Sequence, residues 1–228
     1  MNRIPFLICL TLFAIFPFSL AQDESVNPGI NDSFTDPDPK TFVERFEREG
    51  REVYDNRETI VTELDLKPGM VVADVGAGTG LFTRLIAPRV GPEGKVYAVD
   101  IAQRFVTHTL LSCRARGWKH VEGIVCEQDD AKLPENSIDV VFLCDTYHHF
   151  EYPLKTMQSI RRALKPDGRV YLLDFERIEG VSSDWILGHV RAGREVFQAE
   201  IEEAGFELEK EFDLFEENYF LKFRKKME

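Results

Sequence analysis

The chain has 228 residues, with 28 Lys+Arg against 40 Asp+Glu and a net charge of −12. That length suits one domain with a sizeable core, and 43% hydrophobic with 30% charged residues is the composition of a soluble globular protein. The acidic balance sets the surface against nucleic acid and anionic membranes, and makes a polyanionic substrate a poor match.

Residues 1–21 stand apart. Arg3 precedes an uncharged apolar stretch from Ile4 to Leu20, and Ser19 and Ala21 are small residues placed before a cut ahead of Gln22. This is the layout of a secretory signal peptide. The alternative is an uncleaved membrane anchor, although the stretch contains Pro5 and Pro17 and is short for a bilayer core that needs about 20 residues. Residues 22–39, with their Asp, Asn, Ser, Pro and Gly, read as a linker or mobile arm. The domain is expected over 40–228. Its first pieces are helical: Phe42, Val43, Phe46, Val53 and Tyr54, then Ile60, Val61 and Leu64, recur at helix-like spacing. They pack against the sheet, and Tyr54 is a candidate to cover a ligand site.

Met70 to Val75 is a short apolar run rich in β-branched residues, as suits a strand covered on both faces. Its one charge, Asp74, needs a reason. Gly76, Gly78 and Gly80 follow with Ala77 among them, and a helix-compatible segment starts at Leu81. Glycines there let the chain turn sharply and let a ligand approach the backbone, while the helix start offers free N–H groups. The spacing is Gly-x-Gly-x-Gly. It is neither the dinucleotide fingerprint Gly-x-Gly-x-x-Gly nor a phosphate-binding loop ending in Gly-Lys-Ser/Thr.

Lys95 to Asp100 is a second strand with an acid at its tip, followed by Ile101 and a helix over 102–116. Asp100 is placed to accept from a ribose diol, or to cap that helix. His120 to Cys126 and Ser137 to Cys144 are the third and fourth strands. An acidic loop carrying Asp129, Asp130, Ala131 and Leu133 follows the third, and Asp145-Thr146-Tyr147-His148-His149-Phe150 follows the fourth. In a parallel sheet that last loop opens beside the glycines. A helix through Leu154, Met157, Ile160 and Leu164 stops at Lys165-Pro166-Asp167-Gly168, and a fifth strand is expected over Arg169–Phe175. Residues 178–184 read as a loop able to cover a substrate pocket. A helix over 193–204 and strands Phe206–Phe212 and Asn218–Phe223 complete the chain. The alternation of strands and helices gives an α/β three-layer sandwich with a mainly parallel sheet. Once the leader is removed, three cysteines remain, without metal-like spacing, and read as small buried hydrophobes.

The acid-tipped strand with its three alternating glycines resembles motif I of the class I S-adenosylmethionine-dependent methyltransferases. Leu164-Lys-Pro-Asp-Gly-Arg-Val-Tyr171 is similar to the segment before the fifth strand in the small-molecule branch, the methyltransferase type 11 and ubiquinone/menaquinone-biosynthesis group. The resemblance covers roughly residues 40–225. It implies a Rossmann-like sheet of seven strands, the last antiparallel and inserted beside the fifth. It also implies S-adenosyl-L-methionine as cofactor, held by Asp74, Gly76, Ala77, Gly78, Gly80, Asp100 and Ile101. Asp130 and Ala131 would hold the adenine, with Leu133 packed on the ring. The implied reaction is methyl transfer to a small-molecule acceptor. If that acceptor carries a proton, Asp145, Tyr147, His148 and His149 are the local groups, and His149 is read as a base, a positioning group or a packed wall. A non-catalytic cofactor-binding protein of the same fold and an NAD-type oxidoreductase are the competing readings.

Overall fold

The computed structural model describes residues 22–227, so the expected leader lies outside the described residues. Seven strands form one sheet: β1 (Val71–Val75), β2 (Lys95–Asp100), β3 (Val121–Val125), β4 (Ile138–Cys144), β5 (Leu164–Phe175), β6 (Phe206–Phe212) and β7 (Asn218–Lys225). Their order across the sheet is β3-β2-β1-β4-β5-β7-β6. All pairs from β3 to β5 are parallel, and β7 runs antiparallel between β5 and β6. The expected architecture, with its antiparallel last strand beside the fifth, is the observed one.

Alternate residues of the central strands feed two cores, which is why those strands are apolar throughout. Ala73, Val75, Val99, Val141, Leu143, Val170 and Leu172 face one side. There α6 (Pro153–Ala163) lays down Met157, Ile160 and Ala163, and α8 (Arg194–Glu203) lays down Phe197 and Ile201. Val72, Val96, Val140, Phe142 and Tyr171 face the other side, against Ile60 and Val61 of α3 (Arg57–Glu63) and Phe82 and Ile86 of α4 (Leu81–Val90). A third cluster joins Phe42 of α1 (Pro39–Phe46) to Phe105 of α5 (Gln103–Ala115). Among the described residues no helix is long and apolar enough to cross a membrane.

Three segments depart from expectation. Residues 22–38 pack onto the domain: Val26 N–H donates to Glu151 O, and the buried Asn31 amide donates to Gln128 Oε1 at 2.9 Å and to His149 O at 3.0 Å. Their polar side chains, read as marks of a linker, are spent on these bonds. The fifth strand starts at Leu164, before the proline, because Ile138 pairs with Leu164 and Val140 with Arg169, and the residues between make an irregularity. Lys165 Nζ pins that stretch by donating to both oxygens of Asp139 at 2.8 Å. The segment read as a loop over 178–184 leads into a further helix, α7 (Asp184–His189), whose start Ser183 caps by accepting from Ile186 N–H at 3.3 Å.

Candidate active site

β1, β2 and β4 end level with one another, Val75 opposite both Val99 and Leu143, so the loops that follow them open on one edge. Strand order reverses between β1 and β4, the place where open α/β sheets hold ligands. A cavity of about 750 Å³ opens there.

The glycine loop lines one end. Gly76 and Ala77 N–H donate to Val99 O at 2.8 and 3.0 Å, which locks the loop onto β2. Gly76 abuts Thr146, where a Cβ would lie 2.2 Å from the threonine side chain, and Gly80 abuts Thr109, where it would lie 2.4 Å away. Gly80 therefore serves packing and the turn into α4, and is not among the lining residues. Gly78 differs: at φ +52° it has nothing nearer than the Phe46 ring at 3.8 Å, and it lines the cavity. This is a backbone held open for a ligand. The loop is tied to the N-terminal helices through Glu47, which accepts from Thr79 Oγ1 at 2.7 Å and from Arg84 Nη2 at 2.6 Å.

Two buried acids face this end. Asp74 Oδ2 accepts from Thr83 Oγ1 at 2.6 Å. Asp100 accepts from Gly78 N–H through Oδ2 and from Ala102 N–H through Oδ1, both at 2.8 Å. Asp100 thus ties the glycine loop to the turn that leads into α5, and it does not cap that helix, whose N-cap is Ala102 with no side-chain cap bond. Burial pushes both carboxyls up to about 6, against the hydrogen bonds they accept. Each oxygen keeps a lone pair for a further donor. Ile101 and Ala131 also line the cavity.

Asp130 does not. Its Oδ1 accepts from Lys132 N–H at 2.7 Å and its Oδ2 lies 3.5 Å from Arg162, so the carboxylate turns outward. Leu133 is likewise absent from the lining, and Cys126, Glu127, Gln128 and Ala131 form that wall instead. Tyr54 gives way in the same manner: Phe34, Phe42, Phe46 and Arg51 make the cover on the N-terminal side, and Tyr54 packs under Arg57.

The loop after β4 forms the other end. Asp145 takes φ +46° and pairs with Arg51, and its Oδ1 accepts from Asn218 Nδ2 at 2.8 Å. Burial raises its pKa while Arg51 opposes the shift. Tyr147 is in the core, fully buried against Phe150 and Phe197, with its pKa pushed up by burial, and is no part of the cavity wall. His148 and His149 do line it. His148 Nδ1 lies 2.7 Å from Asp174 Oδ1, on a carboxylate with no exposure. His149 is half-buried, and its desolvation, aided by the neighbouring His148 and His189, lowers its pKa to about 2. A general base works best with a pKa near the operating pH, so His149 is a neutral imidazole with little basicity. Three further lining residues escaped the sequence reading: Phe175 from the tip of β5, and Trp185 and His189 one helical turn apart on α7. The signal for the last two was the four-residue spacing, hidden by the surrounding Gly and Ser.

The cavity thus has glycine backbone and buried acids at one end and aromatic and imidazole rings at the other. Cys126 and Cys144 line the cavity and Cys113 does not; all three are free, and burial raises the pKa of each.

The family model described as "Methyltransferase domain" matches residues 73–172. The ubiquinone/menaquinone biosynthesis C-methyltransferase UbiE of Burkholderia vietnamiensis is 28% identical over 118 residues, which are 52% of this chain and 48% of that protein. The chain thus spans about half the length of the curated relatives it matches. Among solved structures, a SAM-dependent methyltransferase from Aquifex aeolicus is 26% identical with a TM-score of 0.72, covering 82% of this chain and 98% of that one. The [4+2]-cyclase SpnF shares the fold at 18% identity and a TM-score of 0.66, covering 80% of this chain and 86% of that one.

Proposed function

We propose that the chain, which is similar to the class I S-adenosylmethionine-dependent methyltransferases, transfers the sulfonium methyl of that cofactor to a small, flat, largely apolar acceptor. The cofactor supplies a methyl on a good neutral leaving group, so the protein's tasks are alignment and exclusion of water. Gly78 leaves its backbone face open to the ligand. Asp100, braced by two N–H donors, offers free lone pairs to a ribose diol. Thr146, beside Gly76, joins this end to the acceptor end.

The observation that carries the reading is the asymmetry of the cavity. Two buried acids and the glycine backbone stand at one end, and Phe34, Phe150, Phe175, Trp185 and the imidazoles stand at the other. Rings of this kind select planar apolar matter. The UbiE relatives are named for C-methylation in quinone biosynthesis, which puts quinols and phenols first among acceptors to try. The test is transfer of labelled methyl from the cofactor to a panel of quinols, phenols and thiols, alongside calorimetric binding of the cofactor. Binding with turnover on a ring acceptor supports the reading. Binding without turnover on any acceptor favours a non-catalytic cofactor-binding protein. No binding overturns both. An NAD-type oxidoreductase gains no support from the glycine spacing.

A second proposal concerns residues 1–21. Their charge and apolar pattern support export with cleavage before Gln22, or retention by an uncleaved anchor. Mass spectrometry of the native protein should find an N-terminus at Gln22 or the whole chain in the membrane fraction. A soluble cytoplasmic chain starting at Met1 refutes both.

A further inference from the structure

At the acceptor end three imidazoles converge from two elements. His148 and His149 come from the loop after β4 and His189 from the end of α7, and one ligating atom of each lies within 4.8 Å of the others. The Nε2 atoms of His149 and His189 are 3.3 Å apart. A tetrahedral zinc site with Zn–N bonds of 2.0–2.1 Å has an N···N edge of about 3.3 Å, so this pair already stands at the spacing of two ligands. His148 has its Nδ1 on the buried Asp174 carboxylate, whose other oxygen accepts from His148 N–H at 3.2 Å. That pairing fixes the tautomer and leaves Nε2 as the free donor atom, which is how carboxylates hold metal-binding histidines. Trp185 stacks on His189 at 4.7 Å and Phe34 meets His149 edge-on at 5.1 Å, so both rings are held in place.

A plain hydrogen bond between His149 and His189 would also give the 3.3 Å spacing. It gives no reason to bring a third imidazole, oriented by its own buried carboxylate, to the same point.

The geometry points to a zinc-class divalent metal site formed by His148, His149 and His189, with Asp174 orienting His148 and a fourth position open to the cavity. Three histidines with an open position is the ligand set of a catalytic zinc rather than a structural one. Arg45 lines the same cavity and favours an anionic fourth ligand, such as the thiolate or oxyanion of an acceptor. The role of the metal, though not the site, rests on the methyl-transfer reading. The bound acceptor X–H would lose its proton to solvent and keep the X lone pair. That pair forms the X–CH₃ bond as the S–CH₃ bond breaks, and the cofactor departs as a neutral thioether.

The test uses the untagged full-length chain, stripped with a chelator, and reads zinc binding by calorimetry, the visible spectrum of the cobalt-substituted protein, and cofactor binding separately. One Zn²⁺ per chain and a four-coordinate cobalt spectrum are expected. His189→Ala and His149→Ala should each remove the stoichiometric site, and Asp174→Asn should weaken zinc by about 10- to 100-fold. Retained cofactor binding shows that a variant is folded. The absence of a stoichiometric zinc in the wild type, or zinc bound equally by the folded histidine variants, overturns the site. Failure of the cofactor to bind the wild type strikes at the methyl-transfer reading and leaves the metal result standing.

Discussion

Asp74 and Asp100 couple stability and cofactor binding to pH with opposite signs. Each carboxyl sits near 6 in the folded chain against an ordinary 3.8, and a gap of about two units is about 3 kcal/mol apiece. Since the folded pKa is the higher one, the folded chain holds protons that the unfolded chain has released. This contribution to stability is fully present below about pH 4 and lost as pH rises through about 6. Cofactor affinity should run the other way. Ribose hydroxyls donate to the ionised form of Asp100, so binding draws its pKa back down and expels a proton. If the bound value returns to the ordinary range, Kd should be about tenfold weaker at pH 5 than at pH 7. Calorimetry at pH 5, 6 and 7 in buffers of different ionisation enthalpy reads both the affinity and the proton released, and urea denaturation in the same buffers reads the stability. Asp100→Asn, which cannot titrate, should flatten the affinity profile. A Kd independent of pH with no proton release, or a profile unchanged by Asp100→Asn, would refute the placement of the ribose on Asp100.

Other substitutions separate architecture from binding. Gly80→Ala forces a Cβ to 2.4 Å from Thr109 at φ +79° and should cost about 1–3 kcal/mol of stability in denaturant titration. Gly78→Ala meets nothing closer than 3.8 Å and should cost only about 1 kcal/mol, while cofactor affinity by calorimetry falls at least about tenfold, or about 1.4 kcal/mol. Arg51→Ala strands the buried Asp145 carboxylate and should lower unfolding free energy by about 3 kcal/mol. Adding Asp145→Asn should recover much of that, because Asn tolerates the positive φ and carries no charge.

The sheet was legible in the sequence because each strand is a short apolar run between turn residues, and β2 matches its expected limits at both ends. The glycine-loop end of the cavity was legible for a related reason. It is made by backbone at Gly76 and Gly78 and by acids at strand tips, features that local sequence carries. What escaped depended on contacts between distant segments. Asp130 was assigned to the adenine by its place in the chain, yet Arg162 on α6 and the turn at Lys132 claim it. The Asp, Asn and Ser of residues 22–38 have the composition of a linker, and only the position of Gln128 and Glu151 turns them into a covering segment. Tyr147 resembles a catalytic group by its neighbours in sequence, but a one-turn 3₁₀ helix over Tyr147–His149 sends it into the core while its two successors face the cavity.

The same contrast bears on what identifies the acceptor. The glycine-loop end depends on φ values, N–H groups and two acids, so any chain with this loop presents much the same surface there. The acceptor end depends on which side chains β4, β5 and α7 bring to one place, and here they bring three imidazoles, a buried carboxylate and two large rings. A chain that methylates an acidic X–H at this end must lower the acidity barrier, and the convergence of three imidazoles there is the geometry that a metal would use. A metal held by them would supply that chemistry, since a coordinated hydroxyl or thiol ionises near neutral pH. A carbon acceptor activated by its own ring oxygen would use the same position, with the oxygen on the metal and the carbon toward the methyl. Acceptors lacking a ligating O or S should therefore react no faster with zinc than without it, while phenols, quinols and thiols should lose turnover on chelation and regain it on zinc addition.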